Sequence, residues 1–256
     1  MDILFLGTCA CDYSPLLQTV YKDVFDKNAR RSSCVLINGR YLIDCGEHCL
    51  EELRIAKIDL AQITDICVTH FHSDHYNVEC VKQIAKAGKR TLRVWVRADA
   101  RVIEISNVEW KFMKKGTEYT VDEGVKATGL LANHDENVFP QHILFEIDGK
   151  KFFYACDGAW FLHETYYALK NTNLDFLVLD CTCGDYDGEW RMAEHNSIPM
   201  IRLMLPSLKN WGVINEKSEV YISHIAPSLH KPHFETAEIM NAIGVKVAFD
   251  GLRLEV

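Results

Sequence analysis

No apolar run in the 256-residue chain approaches the roughly 20 residues that a bilayer-spanning helix needs. The opening, Met1-Asp2-Ile3-Leu4-Phe5-Leu6-Gly7, has no basic stretch, and its apolar run is too short for a secretory leader. These two absences lead us to expect a cytoplasmic protein with no membrane partner. Basic excess is also lacking. The chain has 28 Lys and Arg against 36 Asp and Glu, a formal net charge of -8. A long nucleic acid usually demands a basic face. Lys114-Lys115 and Lys150-Lys151 are short doublets of the kind found in solvated turns, so no such partner is expected. No linker, compositional break or sequence repeat is visible, and we expect a single domain over residues 1–256. Hydrophobic residues make up 48% and charged residues 25%, enough for a full core.

Cysteine is not scarce, but Cys-x-x-Cys spacing is missing from its ten occurrences. Cys45, Cys67, Cys156 and Cys181 sit in apolar, strand-like runs, where a cytosolic protein uses cysteine as a small buried hydrophobe. Cys9-x-Cys11 and Cys181-x-Cys183 are too close for the usual zinc knuckle and have no clear partner pair. Whether Cys9 and Cys11 bind a structural zinc stays open at this point.

Hydrophobic period predicts strands at 3–6, 66–69, 92–96, 176–180 and 219–223. Residues 8–31 read as a long polar loop. Two hairpins are predicted, 34–44 turning at Asn38-Gly39 and 142–155 turning at Asp148-Gly149. Further strands are expected around Gly124 within 117–131. Helical spacing appears at 47–57 and again after Ser73 or Asp74, either of which could cap a helix carrying Val78, Val81, Ile84 and Ala85. Residues 192–208 read as mostly helical with an interruption near Pro199, and 234–243 as a helix ending at Gly244. Residues 245–249 and 252–256 are expected to close the sheet together. Hairpins followed by alternating strands and helices fit two sheets packed together with helices outside.

The chemistry concentrates in Thr69-His70-Phe71-His72-Ser73-Asp74-His75. His70 and His72 lie two apart at the end of an extended run, so period two places both imidazoles on one face, within reach of one cation. Asp74 and His75 follow into the turn and can hold a second. With 11 histidines in the chain, a chance His-x-His-x-Asp-His is on the order of one in a thousand. Imidazole and carboxylate donors suit zinc, manganese or iron. Two divalent cations would add about four positive charges locally, a focus for a small anionic substrate on an acidic protein.

Thr-His-Phe-His-Ser-Asp-His after an apolar strand resembles the signature of the metallo-β-lactamase superfamily. That resemblance implies an α/β fold, an αββα sandwich of two mixed β-sheets flanked by helices, and further ligands downstream. His134 in Ala-Asn-His-Asp matches the third histidine of the first metal site. Asp157 in Ala-Cys-Asp-Gly matches the aspartate that bridges two metals, and His224 in Ile-Ser-His-Ile matches the last histidine of the second. The implied set is therefore His70, His72, Asp74, His75, His134, Asp157 and His224, with Asp74 counted also among catalytic residues. Asp44, ending Tyr-Leu-Ile-Asp, matches a supporting aspartate that would fix a histidine tautomer or the ligand loop. A turn aspartate at a strand end accounts for it equally well. Of the other histidines, His48 reads as a surface residue, and His142 and His163 as satisfied polar groups. His230 and His233 lie close to His224 in the sequence and could face the mouth of the site.

Two metals and a hydroxide can hydrolyse β-lactams, thioesters, lactones or phosphodiesters, and the superfamily does not choose among them. Histidine at position 72, where the oxygen-reducing diiron branch usually has glutamate, disfavours redox chemistry. Glu194-His195-Asn196-Ser197 resembles the extra histidine motif of the phosphodiesterase branches, the tRNA 3′-processing endonucleases and the phosphoribosyl cyclic phosphate phosphodiesterase. An alkoxide leaving group needs a proton donor near neutral pH, a role that suits His195. Leu4-Phe-Leu-Gly-Thr8, Arg30-Arg-Ser-Ser-Cys34, Leu179-Asp-Cys-Thr182 and Phe249-Asp-Gly251 also follow the order of the cyclic phosphate branch. The departure is its cysteine-rich zinc loop, of which only Cys9 and Cys11 remain. The expected function is a binuclear hydrolase of a small phosphodiester, with Arg30, Arg31 or Ser197 as candidate phosphate contacts. A lactone or thioester hydrolase, and a noncatalytic binding protein related to pyrroloquinoline quinone biosynthesis, are the alternatives. A homodimer is compatible with this reading.

Overall fold

The computed structural model describes residues 1–186 and 188–255, which divide into two compact units. The first comprises Met1–Lys114, Asn137–Phe139 and the stretch from Phe249 onward. In it lie β1 (Asp2–Gly7), β2 (Cys34–Ile37), β3 (Tyr41–Ile43), α1 (Cys49–Ile55), β4 (Asp65–Cys67), α2 (Val78–Ala87), β5 (Leu92–Arg97) and β6 (Val108–Met113). The second comprises Lys115–Glu136 and Pro140–Ala248. It holds β7 (Glu118–Asp122), β8 (Val125–Leu131), β9 (Gln141–Ile147), β10 (Lys150–Ala155), α3 (His163–Ala168), β11 (Phe176–Asp180), α4 (Ile198–Asn210), β12 (Glu219–Ser223), α5 (His233–Asn241) and β13 (Lys246–Val247). The last strand, β14 (Arg253–Glu255), belongs to the first unit.

Each unit is organised on one seven-stranded mixed sheet. The first runs β14-β1-β2-β3-β4-β5-β6 and the second β13-β12-β11-β10-β9-β8-β7. In the first, Leu4, Leu6, Leu36, Leu42, Ile66 and Val94 share a core with Leu53 of α1 and Val81 and Ile84 of α2. The alternate residues Ile3, Phe5, Val35 and Ile37 are also fully buried, so these strands are apolar on both faces, as their unbroken runs require. In the second, Phe153, Leu177, Leu179, Val220 and Ile222 pack with Ile201, Met204 and Leu208 of α4.

Both predicted hairpins form. Asn38 and Gly39 adopt φ of 50° and 68°, and Asp148 and Gly149 φ of 51° and 79°. Two successive left-handed residues match the twist of the flanking strands, and Asn-Gly and Asp-Gly reach that conformation at least cost. Parallel pairing then aligns strand ends. β3 and β4 pair in parallel, with Ile43 opposite Cys67. β10, β11 and β12 are parallel neighbours, with Ala155 opposite Leu179 and Asp180 opposite Ser223. Within each unit the residues that follow these strands therefore emerge along one edge, where open α/β sheets hold ligands.

Several local expectations are corrected. Neither Ser73 nor Asp74 caps α2; the chain stays irregular to Asn77, whose side chain accepts from the amides of Glu79 and Cys80. Pro199 opens α4 rather than interrupting a helix, because a proline in the first turn gives up only an amide that has no helical partner. Residues 190–193 form a separate 3₁₀ turn. The two C-terminal segments do not close one sheet: β13 pairs with β12 and β14 with β1. Val256, included in the predicted final strand, lies outside the described residues. β6 was not among the predicted strands; its charged residues Glu109 and Lys111 dilute the apolar signal of an edge strand.

Candidate metal centre

In the first unit, four predicted ligands lie on the loop that leaves β4. His70 and His75 are buried, their ring centroids 4.1 Å apart, and His70 Nε2 lies 3.0 Å from His72 Nδ1. His75 Nε2 is 3.5 Å from Asp74 Oδ2. The loop is held from beneath by Asp44, fully buried just past β3. Asp44 accepts from the Thr69 amide at 2.7 Å, from the Thr69 hydroxyl at 2.8 Å and from His75 Nδ1 at 2.8 Å. With its proton given to Asp44, the Thr69 hydroxyl can accept from His70 Nδ1 at 3.0 Å. Both histidines thus have Nδ1 engaged and offer Nε2, the arrangement that fixes a metal-binding tautomer. Burial alone would lower the pKa of His75, but Asp74 and Asp44 outweigh it and hold it well above the ordinary histidine value. An imidazolium of that kind marks a strongly negative pocket, which a cation would occupy in place of the proton.

In the second unit, His134 follows β8, Asp157 follows β10 and His224 follows β12, and all three are buried. Asp157 is their meeting point. Its carboxylate lies 3.6 Å from His134 Nδ1, 3.5 Å from His224 Nε2 and 2.9 Å from His195 Nδ1. Asp180, at the end of β11 and fully buried, stands behind them. It lies 3.1 Å from both His195 Nδ1 and His224 Nδ1, and it accepts from the Thr182 hydroxyl at 2.9 Å. Burial opposes the charge on His195, yet Asp157 and then Asp180 outweigh it and push its pKa up to about 11. Burial likewise opposes the Asp180 carboxylate, and His195 beside it holds the group below the usual carboxylate range. His195 and His224 stack nearly parallel, centroids 5.5 Å apart.

Asp44, Asp157 and His224 share an uncommon backbone, with φ of 64°, 60° and 56°. Left-handed conformation costs a non-glycine residue about 1–2 kcal/mol and concentrates at functional sites. Each donor set fits the divalent cations that the fold implies: imidazole nitrogens turned one way by carboxylates behind them, with further carboxylates beside them.

Asp180 and Thr182 had been read only as part of a motif. The signal available in the sequence was a carboxylate ending an apolar parallel strand, Phe176-Leu-Val-Leu-Asp180. The phosphate contacts expected of the arginines are not supported. Arg31 is fully buried on Glu51, at 2.8 Å, and Arg30 is buried with its guanidinium on the Thr8 hydroxyl at 2.6 Å. Ser197 is buried as the cap of α4, accepting from the Met200 amide. His48 is half-buried before α1 and bonded to Ser32, not a surface residue. His142 is not satisfied: it is fully buried beside Phe153 and Phe161, and neither ring nitrogen has a hydrogen-bond partner among the described residues. His230 donates to the Cys181 carbonyl. Cys9 and Cys11 gather no metal-type ligand cluster among the described residues.

The fold and these donor sets define a metallo-β-lactamase-type domain, the architecture of metal-dependent hydrolases. The chain belongs to that superfamily: the family described as "Beta-lactamase superfamily domain" matches residues 39–244. Three solved structures share the fold. A diphosphatase of the PhnP family aligns at 20% identity and TM-score 0.75, over 100% of this chain and 96% of that one. Human tRNase Z, short form (ELAC1), aligns at 17% identity and TM-score 0.68, over 100% and 99%. Zinc-bound PqqB from Methylobacterium extorquens aligns at 16% identity and TM-score 0.68, over 100% of both chains. No curated protein matches the sequence. Among the described residues no helix is long and apolar enough to cross a membrane.

Proposed function

We propose that the chain is a binuclear metal-dependent phosphodiesterase acting on a small anionic phosphodiester, a phosphoribosyl cyclic phosphate being the preferred class. The reading takes residues 1–256 as one functional domain. His70, His72 and His134 would hold one divalent cation, zinc or manganese; Asp74, His75 and His224 would hold the second, and Asp157 both. Bound there, the cations would supply an activated water and charge neutralisation at phosphorus.

The observation that carries the choice of phosphodiester is His195. Its Nδ1 is held by Asp157 at 2.9 Å and Asp180 at 3.1 Å. That leaves Nε2, on a side chain that is only partly exposed, to meet the departing sugar oxygen. With Asp157 turned to the cations, Asp180 would remain to keep the ring oriented. A thiolate, which leaves unaided, gains less from such a donor than an alkoxide leaving from phosphorus. The net charge of -8 leaves the cations as the main attraction for an anion and disfavours a long nucleic acid.

The test is a panel of cyclic and linear phosphodiesters, lactones and thioesters, assayed on protein reconstituted with zinc or manganese. Phosphodiesters should turn over with the largest kcat/KM. His195→Ala should keep its metal content and lose about 10²–10⁴ in kcat with alkyl leaving groups, and much less with activated aryl ones. Equal losses on both kinds of leaving group would refute the role of His195. Hydrolysis confined to lactones or thioesters would refute the phosphodiesterase.

A further inference from the structure

A second set of donors lies in the first unit, and no residue of the proposed binuclear centre belongs to it. We propose that Cys34, Cys49 and Glu52, with Cys80 as the fourth donor, form a separate structural site for one zinc-class divalent cation. Cys34 comes from β2, Cys49 and Glu52 from one face of α1, and Cys80 from α2. Cys34 Sγ, Cys49 Sγ and a Glu52 carboxylate oxygen all lie within 4.8 Å of one another. The two sulfurs are 3.8 Å apart. A tetrahedral zinc with bonds of about 2.3 Å to sulfur sets neighbouring thiolates about 3.8 Å apart, so this pair already has the required edge. The Cys80 thiol lies beside those of Cys49 and Cys45, outside the close group of three, and would turn toward it to take the remaining position.

Buried thiols alone pack as small hydrophobes, and the three cysteines by themselves need no other account. Glu52 is what packing does not explain. Its side chain is fully buried, and among the described residues neither carboxylate oxygen has a hydrogen-bond partner. A buried polar group left without a partner is destabilising, more so if it is charged. The fold makes room for it nonetheless: a Cβ on Gly7 would meet a Glu52 oxygen. A cation between Glu52 and the sulfurs would partner the stranded oxygen. Three thiolates and one carboxylate around a divalent ion leave two negative charges, which the attraction of the buried Arg31 guanidinium toward Glu52 offsets in part. Burial raises the Cys34 thiol to about 12 and Glu52 well above the usual range, so the empty cluster is neutral; a bound cation would deprotonate it.

Cobalt separates this site from the binuclear centre, because only thiolate ligands give an intense near-ultraviolet sulfur-to-cobalt band. Full-length protein loaded with Co²⁺ should show that band. Cys34→Ser and Cys49→Ser should each abolish it and lower metal content by one ion per chain. Cys9→Ser with Cys11→Ser, and His70→Ala, should leave it intact. Wild-type protein without the band would overturn the proposal, and so would a Cys34–Cys49 disulfide found by mass spectrometry of the native protein. A band lost only with Cys9 and Cys11 would overturn it as well. If the Cys34 and Cys49 variants do not fold, the wild-type band and its survival in the Cys9/Cys11 variant decide the matter. None of these readouts depends on phosphodiester hydrolysis, so either proposal can fail alone.

Discussion

Replacing His142 with leucine should remove a large part of the protein's acid sensitivity. His142 lies on β9 with no exposure, edge-on to Phe153 and Phe161 at 5.8 Å each. Burial depresses its pKa from 6.5 to about 4. The unfolded chain therefore takes up a proton near pH 6.5, which the folded chain refuses until about pH 4. The neutral ring's contribution is fully present above pH 6.5 and is lost as pH falls toward 4. At about 1.4 kcal/mol per pH unit, that interval is worth about 3 kcal/mol. Leucine is close in size to histidine and has no polar atom to strand, so His142→Leu should also be about 1–3 kcal/mol more stable at pH 7.5. The assay is urea unfolding of chelated protein from pH 7.5 to 4.5. Chelation keeps metal release out of the comparison, and protonation of the carboxylates is common to both proteins. The stability gap between variant and wild type should widen by about 3 kcal/mol across the range. Parallel stability curves would refute the reasoning.

Asp180→Asn keeps the size of the side chain but weakens its hold on the Nδ1 protons of His195 and His224; it should cost about 10–100-fold in metal affinity or kcat, seen by titration and turnover. Chelation should abolish hydrolysis, and zinc or manganese should restore it in proportion to occupancy of the last site filled. Leu208→Ala, in the fully buried face of α4, should destabilise by about 2–5 kcal/mol in urea unfolding while leaving KM unchanged.

The parts legible in the sequence were those set by local rules. Asn38-Gly39 and Asp148-Gly149 fix their hairpins because few other pairs tolerate two positive φ values in succession. The spacing from His70 to His75 makes a donor cluster without help from distant segments. Less legible was whatever depends on register between strands far apart in sequence. Asp180 looked like the end of an apolar run; only the parallel pairing of β11 with β10 and β12 carries it behind Asp157 and His224. Arg30 and Arg31 looked like anion contacts because nothing local reveals that Asp250 and Glu51 lie beside them. Glu52 has helical spacing and a charge, as a solvated residue would. Its burial beside Cys34 and Cys49 depends on where β2 meets α1.

The left-handed backbone at Asp44, Asp157 and His224 bears on how this protein can change over generations. Glycine relieves the strain at all three positions and asparagine relieves part of it, but glycine brings no ligand and asparagine no charge. Where selection for catalysis lapses, the easiest substitutions at these positions would make the protein more robust while emptying it of chemistry. A lineage that kept its fold and lost its metals would thus be drifting downhill in free energy, and recovery would have to climb back.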